Sequence, residues 1–313
     1  MSVEILKETY SGKIRAVTLG EGDKAVNIGG AQVLPFHKFE GETGEPPKIA
    51  IEVYDDVGDW SENAKEPFKD VVNDPAAWAK KNQDEYKADL IALQLRSTDP
   101  NGSDAGPDEA AETVKKVVEA IDIPLIVYGS GNVKKDEEVL KKVAEAAHGK
   151  NIALGPAQEE NYKAVAAAAM GYNHKVIALS PIDINIAKQL NILITQLGMD
   201  AGNIIIDPTT GALGYGLEYT YTIMERLRLA ALQQNDEMTS MPMIANLGFE
   251  VWRRKESKVS AEEEPAWGDL KTRTVIWETI TANTLMLAGA DLLVMRHPEA
   301  IKIIRQMIEG YLK

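Results

Sequence analysis

The feature that most constrains the fold is a series of eight short apolar segments, each followed by a stretch with the composition of a helix. The segments are continuously apolar rather than alternating, which is typical of strands buried on both faces. Strand–helix alternation favours parallel pairing with right-handed crossovers. We therefore predict an α/β protein in which the eight units close into a (β/α)8 TIM barrel; an open doubly wound sheet is the alternative.

The predicted strands and an N-terminal extension divide the chain into two parts. The strands cover residues 48–54, 90–95, 124–128, 151–154, 175–179, 203–206, 242–245 and 291–295. Before them, residues 13–19 and 25–28 alternate apolar and polar positions around a glycine-containing turn, which indicates a hairpin. We expect residues 1–46 to form a hairpin extension that caps the N-terminal end of the barrel, and residues 47–313 to form the barrel.

The composition excludes several kinds of site. The chain has no cysteine, so it supplies no disulfide, no thiolate zinc site and no ligand for an iron–sulfur cluster. Its four histidines show no metal-ligand spacing, and we predict no metal site. A net charge of −14 disfavours nucleic acid as a partner. No apolar run reaches the ~18 residues of a membrane span, and no signal peptide is recognisable, so we expect a cytoplasmic protein.

In barrels of this kind the loops after the strands build the binding site. Here those loops are rich in glycine, proline and small polar residues, which let the backbone come close to a large flat ligand. Tight turns alone would also explain the composition of any single loop. From loop position we select these candidate cofactor-binding residues: Gly129, Ser130, Gly155, Ser180, Asp207, Thr209, Thr210, Gly211, Leu213, Gly214, Tyr215, Asn246 and Arg296.

The segment 207–216, Asp-Pro-Thr-Thr-Gly-Ala-Leu-Gly-Tyr-Gly, is the most informative of these loops. It follows a strand and precedes a helix, so its backbone N–H groups can cradle a polar ligand edge. It lacks both the Gly-Lys-Ser/Thr ending of a Walker A loop and the spacing of a dinucleotide fingerprint. Asp207 and Asn246 can grip the amide-like edge of a heterocycle, or they can simply cap their own loops.

Two further features have more than one interpretation. His297 precedes Pro298, which favours a turn or capping role over that of a base or an axial ligand. Residues 252–267 form a charged insertion bracketed by two tryptophans, which suits a lid, a partner contact or a solvated loop. The sequence shows no nucleophile–base pair. It therefore predicts a ligand-holding surface, without catalytic residues, more than a self-sufficient enzyme.

Several segments resemble one known family, the small subunit of the corrinoid iron–sulfur protein. They are residues 34–41, 180–193, 207–219, 223–228 and 295–300, and the third reads Asp-Pro-Thr-Thr-Gly-Ala-Leu-Gly-Tyr-Gly-Leu-Glu-Tyr. The similarity runs from the N-terminal hairpin to the last helix, and the long central motifs are specific.

The resemblance implies a heterodimer that carries a methyl group in the reductive acetyl-CoA pathway. In that family a large subunit carries the [4Fe–4S] cluster and grips the cobalamin, while the barrel of the small subunit covers the reactive face of the corrinoid. A methyl-tetrahydrofolate methyltransferase and acetyl-CoA synthase then act as transient partners. The chain lacks the Asp-x-His-x-x-Gly cobalamin signature, as expected if the large subunit supplies the main grip.

Two other functions stay open at this point. A pterin-dependent methyltransferase on the same barrel would need Asp207, Asn246 and Asp99 to converge on a pterin ring. A pure assembly subunit would hold the complex together without touching the cofactor.

Overall fold

A closed barrel of eight parallel strands forms the centre of the computed structural model, which describes residues 5–58 and 60–313. Each barrel strand pairs with the next along the chain, and the last pairs with the first. The predicted TIM barrel is confirmed. The hairpin strands are β1 (Ala16–Leu19) and β2 (Val26–Gly29), and the barrel strands are β3 (Lys48–Tyr54), β4 (Leu90–Gln94), β5 (Leu125–Tyr128), β6 (Ala153–Ala157), β7 (Lys175–Leu179), β8 (Ile204–Asp207), β9 (Met243–Asn246) and β10 (Ala290–Met295).

Helices surround the barrel, and several begin at a side chain that accepts hydrogen bonds from the first turn, such as Asp74, Asn132 and Asp183. Two short helices, at Glu62–Lys65 and Leu247–Trp252, are absent from the sequence prediction, because neither is long enough to show a helical period. The helices are α1 (Glu62–Lys65), α2 (Pro75–Asp84), α3 (Pro107–Ala120), α4 (Val133–Ala146), α5 (Tyr162–Gly171), α6 (Ile184–Gln196), α7 (Leu217–Gln233), α8 (Leu247–Trp252), α9 (Leu270–Ala288) and α10 (Pro298–Tyr311).

Alternate residues of each barrel strand belong to two different apolar clusters. Ala50 and Ile126 lie in the cluster that fills the barrel, whereas their neighbours Ile51 and Val127 lie in the larger cluster between the strands and the helices. Because side chains in a strand alternate between two faces, both faces of these strands are buried. This double burial explains why the strand segments read as continuous apolar runs.

The hairpin closes the N-terminal end of the barrel. Val17, Leu19 and Ile28 are buried in the same apolar cluster as the interior residues of the barrel strands. Asn151, just before β6, ties the hairpin down: its side-chain amide donates to the carbonyl oxygens of Thr18 (3.1 Å) and of residue 20 (3.0 Å). A ligand therefore reaches the interior from the opposite, C-terminal end.

Two absences hold for the part of the chain that the structure describes. None of its helices combines the length and the apolar character required to span a bilayer. Within the same residues, no group of three or more histidine, aspartate or glutamate side chains is placed to hold a metal ion.

Replacing Asn151 by Ala is expected to loosen the hairpin. The variant loses two hydrogen bonds, and it must keep a backbone φ of 46°, which alanine adopts less readily than asparagine. We expect the free energy of unfolding in urea to fall by about 2 kcal/mol. Asn27→Ala is the matched control, because Asn27 bonds Thr18 on the exposed side of the hairpin and should change stability by less than about 0.5 kcal/mol. Equal losses in both variants would contradict the assigned role of Asn151.

Candidate functional site

Polar side chains replace the apolar interior at the C-terminal end of the barrel. Side chains two residues apart in a strand share a face, so a residue two positions beyond an interior apolar residue also points inward. Four polar residues occupy such positions in β4, β5, β8 and β9: Gln94, Tyr128, Asp207 and Asn246. Together with Thr210 they line a cavity of about 170 Å³, which we call the mouth cavity.

The polar residues of the mouth cavity form two hydrogen-bonded pairs. The Tyr128 hydroxyl donates to Asp207 Oδ2 (3.0 Å), and Gln94 Nε2 donates to Asn246 Oδ1 (3.1 Å). Burial raises the pKa of the Asp207 carboxyl to about 6, although the hydrogen bond from Tyr128 opposes the rise. Asp207 is therefore ionised at neutral pH, and a buried carboxylate retains lone pairs that can accept further hydrogen bonds.

The loop after β8 holds Thr209 in an unusual conformation. Its φ of 64° lies in the left-handed region, which costs a β-branched residue about 1–3 kcal/mol. Three contacts keep it there: its N–H donates to Asp207 Oδ1 (3.0 Å), its hydroxyl to the Ser180 carbonyl (2.6 Å), and its carbonyl accepts from the Thr220 hydroxyl (3.1 Å). The same turn buries the Thr210 hydroxyl without a hydrogen-bond partner among the described residues. Unpaired burial of a hydroxyl costs about 1–3 kcal/mol, which a ligand can recover.

A buried aspartate shapes the loop after β5. Asp136 in α4 accepts from the N–H and the hydroxyl of Ser130 (2.9 and 3.1 Å) and from the N–H of Gly131 (2.9 Å). A Cβ atom at Gly129 would lie 2.4 Å from the Asp136 carboxylate, so only glycine fits there. Burial raises the pKa of Asp136 to about 6. The result is a low rim of small residues beside the mouth cavity.

Arg296 lies at the seam of the barrel in an aromatic enclosure. Its Nε donates to Glu52 (2.8 Å) and its Nη2 to the Tyr54 hydroxyl (3.0 Å), while its guanidinium lies 3.6 Å from the centre of the Trp60 ring. Burial raises the pKa of Glu52, and the Arg296 charge opposes that rise. Arg296, Tyr54 and Trp60 line a second cavity of about 350 Å³, which we call the outer cavity. Glu52 does not line this cavity and is fully buried beneath it.

Glu278 in α9 supports the same seam from behind. Its carboxylate accepts from the N–H groups of Arg296 (2.5 Å) and His297 (3.1 Å) and from the Trp252 indole (2.8 Å). Burial raises its pKa to about 7. His297 caps α10 by accepting from the Glu299 N–H (3.2 Å), and burial lowers the His297 pKa to about 4. The capping interpretation of His297 is therefore the one that the structure shows.

The charged insertion after α8 is fastened to the barrel wall. Arg273 donates to the carbonyl oxygens of Glu256 (2.7 Å), Gly268 (3.1 Å) and Val259. The Tyr215 hydroxyl also donates to the Glu256 carboxylate (2.9 Å). These bonds give the insertion a fixed place against α9 and against the loop after β8.

The structure separates the candidate residues into four groups. Gly155 and Ser180 are buried beside the mouth cavity, and Arg296 lines the outer cavity. Six line the mouth cavity itself: Gly129, Ser130, Asp207, Thr209, Thr210 and Asn246. Four lie outside both cavities, because the second half of the loop packs on α9 and the insertion: Gly211, Leu213, Gly214 and Tyr215.

Sequence reasoning missed five residues that line the mouth cavity or support its rim and the barrel seam. Three of them could have been found from the sequence: Glu52, Gln94 and Tyr128. Each is a polar residue in an otherwise apolar strand and lies two positions after a residue that faces the barrel interior. Asp136 and Glu278 could not have been found, because an acid in a helix is ordinarily solvated and only the packing shows that these two are buried.

Replacing Asp207 by Asn is expected to stabilise the protein above pH 6. The folded-state pKa of about 6 lies above the ordinary value of 3.8, so the stability that this group contributes is complete below about pH 4 and is lost as the pH rises to about 6. Without the charge, Asn can still accept from the Thr209 N–H through its side-chain oxygen, while its side-chain amide donates to the Tyr128 hydroxyl oxygen. We expect the free energy of unfolding of Asp207→Asn to exceed that of the parent by about 2 kcal/mol at pH 8 and to equal it near pH 4. Urea unfolding at both pH values measures this, with the partly exposed Asp56→Asn as control. A difference that does not vary with pH would contradict the expectation.

Comparison with known proteins identifies the family of the sequence. Residues 16–309 match the family described as CO dehydrogenase/acetyl-CoA synthase delta subunit. The acetyl-CoA decarbonylase/synthase complex subunit delta 1 of Methanosarcina thermophila is 40% identical over 295 residues, which are 93% of this chain and 67% of the relative. The delta subunit from Archaeoglobus fulgidus is 38% identical over 316 residues, covering 97% of this chain and 70% of the relative.

Solved structures of similar shape include two dihydropteroate synthases. The enzyme from Xanthomonas albilineans has a TM-score of 0.58 at 17% identity and covers 94% of this chain and 97% of its own. That from Coxiella burnetii has a TM-score of 0.61 at 8% identity and covers 96% and 100%. Identities this low show the barrel fold alone, whereas the sequence matches span nearly the whole chain. The chain belongs to the CO dehydrogenase/acetyl-CoA synthase delta subunit family, the family of the small subunit of the corrinoid iron–sulfur protein.

Proposed function

We propose that the C-terminal mouth of the barrel covers the reactive face of a cobalamin held by the large subunit of the corrinoid iron–sulfur protein. The proposal rests on one observation: a low rim of small residues surrounds the mouth cavity, and polar side chains line that cavity. Cobalamin, when bound, supplies the cobalt centre that accepts and releases the methyl group. The residues of this chain then position and shield that centre, and none is assigned a catalytic role.

The chemistry of the rim fits a broad, flat macrocycle with amide side chains at its edge. The loop at Gly129 stays low because the Asp136 carboxylate occupies the space of a side chain. Asn246 Nδ2 and Gln94 Oε1 have no hydrogen-bond partner among the described residues, so they are available to peripheral amides. The buried Thr210 hydroxyl adds a third free group. A surface of this kind combines close backbone approach with a few oriented hydrogen bonds.

The fold supports shielding in two ways. The hairpin closes the far end of the barrel, so water cannot reach the mouth through the interior. The Arg296 enclosure and the Glu278 contacts fix the wall beside the mouth in one arrangement. Excluding water and oxidants matters for a strongly reducing metal centre, and a rigid wall achieves this without moving parts.

The other roles in this proposal follow from the family. The large subunit carries the [4Fe–4S] cluster, which agrees with the absence of cysteine here. A methyl-tetrahydrofolate methyltransferase and acetyl-CoA synthase reach the same cobalt face in turn, in the cytoplasm. The relatives are named as subunits of a complex, and this supports a stable partner for the present chain.

An exposed apolar stripe on α9 is the surface that best suits the large subunit. Ile276, Ile280 and Leu287 are 48%, 42% and 39% exposed, and their spacing places them on one helix face. A groove of about 550 Å³ between this stripe and the insertion is lined further by Trp267 and Trp277. Contiguous exposed apolar surface of this kind marks protein interfaces, whereas single exposed residues are ordinary.

A bulky side chain on the rim is expected to weaken shielding of the cobalt. Ser130→Tyr raises the rim beside the mouth cavity, whereas Ser11→Tyr, in the exposed N-terminal extension, is the matched control. In the complex with the large subunit we expect Ser130→Tyr to speed the oxidation of Co(I) at least threefold, as followed by its visible absorption. Equal oxidation rates for the parent and both variants, with the complex intact by gel filtration, would sink the proposal.

Charges on the α9 stripe are expected to disrupt the complex. The double variant Ile276→Glu, Ile280→Glu places two carboxylates in the proposed interface and should weaken binding of the large subunit at least tenfold, which is about 1.4 kcal/mol. Leu197→Glu is the control, since Leu197 is 40% exposed at the end of α6. Titration calorimetry measures both, and circular dichroism verifies folding. An unchanged affinity would remove this surface from the proposed interface.

A further inference from the structure

The outer cavity is large enough for a small organic molecule and is distinct from the mouth cavity. Its volume of about 350 Å³ falls within the range of small-molecule sites, which begins at roughly 300 Å³. It lies between the loops after β3 and β4, the charged insertion and the end of β10. Among the described residues, Arg96 and Phe249 line both cavities. The proposed cover for cobalamin uses the mouth cavity, which leaves the outer cavity without an assigned ligand.

Cationic side chains dominate the charged lining of the outer cavity, although the whole chain carries a net charge of −14. Among the described residues that line it, the cations are Arg96, Arg253, Arg296 and Lys258, and the acids are Asp56 and Asp99. Both acids accept hydrogen bonds from the loop after β4: Asp56 from the Ser103 hydroxyl (2.8 Å), and Asp99 from the Asn101 N–H (2.9 Å). A cleft in which one sign of charge prevails focuses the electrostatic potential and attracts the opposite charge. This cavity therefore favours an anion.

Aromatic rings pack against the three guanidiniums of the cavity. The Arg296 guanidinium lies 3.6 Å from the centre of the Trp60 ring. The Phe249 ring has two guanidiniums over it, that of Arg96 at 5.3 Å and that of Arg253 at 4.9 Å from its centre. A guanidinium that lies over a ring keeps its N–H groups at its edge, where they can donate. The rings therefore support the arginines, and the arginine edges are what the cavity offers to a ligand.

Each of these guanidiniums has N–H groups that no described residue uses. Arg296 is only 3% exposed and donates through Nε and Nη2, whereas its Nη1 has no acceptor among the described residues. Arg253 pairs with Glu250 through Nη2 alone (2.9 Å), and its side chain is 48% exposed. Arg96 donates through Nη1 and Nη2, and its Nε has no acceptor in the same part of the chain. Since a guanidinium has five N–H donors, all three arginines can take a further acceptor.

We propose that the outer cavity binds a small organic oxyanion, a phosphate ester or a carboxylic acid, through the free N–H groups of Arg96, Arg253 and Arg296. Phosphate and carboxylate oxygens accept charge-assisted hydrogen bonds from guanidinium groups, often two at a time. The volume of the cavity leaves room for an organic body beside the anionic group. This site does not require cobalamin and goes beyond the proposed function.

Equilibrium titration of the isolated full chain at pH 7.5 tests the site by calorimetry and by tryptophan fluorescence, because Trp60 and Trp252 line the cavity. Glycerol 3-phosphate and citrate are the probes, and they distinguish a phosphate ester from a carboxylic acid. Glycerol and trimethyl citrate are their uncharged matched controls. We expect at least one probe to saturate with a dissociation constant of about 1 mM or lower. Its uncharged control should bind at least tenfold more weakly.

Variants locate the binding in the outer cavity. Arg253→Gln and Arg96→Gln should each weaken binding of the probe at least fivefold. Arg226→Gln is the matched control, because Arg226 is exposed on α7 outside both cavities, and it should bind the probe as the parent does. Arg296 is left in place, since its loss would strand the buried Glu52 without its cation. Circular dichroism and urea unfolding verify that each variant is folded.

Three results would each overturn the proposal. They are the failure of both probes to saturate at about 10 mM, equal binding of a probe and its uncharged control, and unchanged binding in both arginine variants. Because no corrinoid is present, such a failure is distinct from a failure of the cobalt-shielding experiment.

Discussion

The ion pair between Glu52 and Arg296 is the interaction on which the mouth of the barrel depends. Glu52 lies in the first barrel strand and Arg296 directly follows the last, so the pair spans the seam at which the barrel closes. Burying two charges costs several kcal/mol each unless they are paired and hydrogen bonded. The Tyr54 hydroxyl and the Trp60 ring complete the enclosure of the guanidinium. A slip of one residue at this seam would separate both charges, so the pair also fixes the register.

The two ends of the barrel interior have opposite character. At one end the hairpin adds apolar side chains and seals the core, and at the other the interior becomes polar within a single layer of side chains. Parallel strands bring all their carboxyl ends together, so polar residues from separate parts of the sequence meet in one cavity. Ligand chemistry is thereby confined to one face, and the groups that stabilise the closed end are separate from those that bind.

The sequence reveals the barrel and only part of its mouth. Continuous apolar strands and regular strand–helix alternation are properties of the chain itself, so the fold and Asp207, Thr209 and Asn246 could be found from position. Asp136 and Glu278 could not, because burial of a helical acid depends on which elements pack over it. The second half of the loop after β8 was selected as cofactor-binding from its position after a strand. In the structure those residues pack on α9, a tertiary contact that no local pattern encodes.

Arg273 has a consequence for how the cobalt face could be exposed. Its guanidinium binds the backbone carbonyls of Glu256 and Val259 in the insertion and that of Gly268 directly after it, and backbone carbonyls cannot turn away as side chains do. Lifting the insertion would leave a largely buried cation without acceptors, which opposes such a movement strongly. Under the proposed function, this chain is then the stationary subunit of the complex with the large subunit. Under the same proposal, the movement that alternately presents the cobalt to two enzymes belongs to the subunit that carries the cofactor.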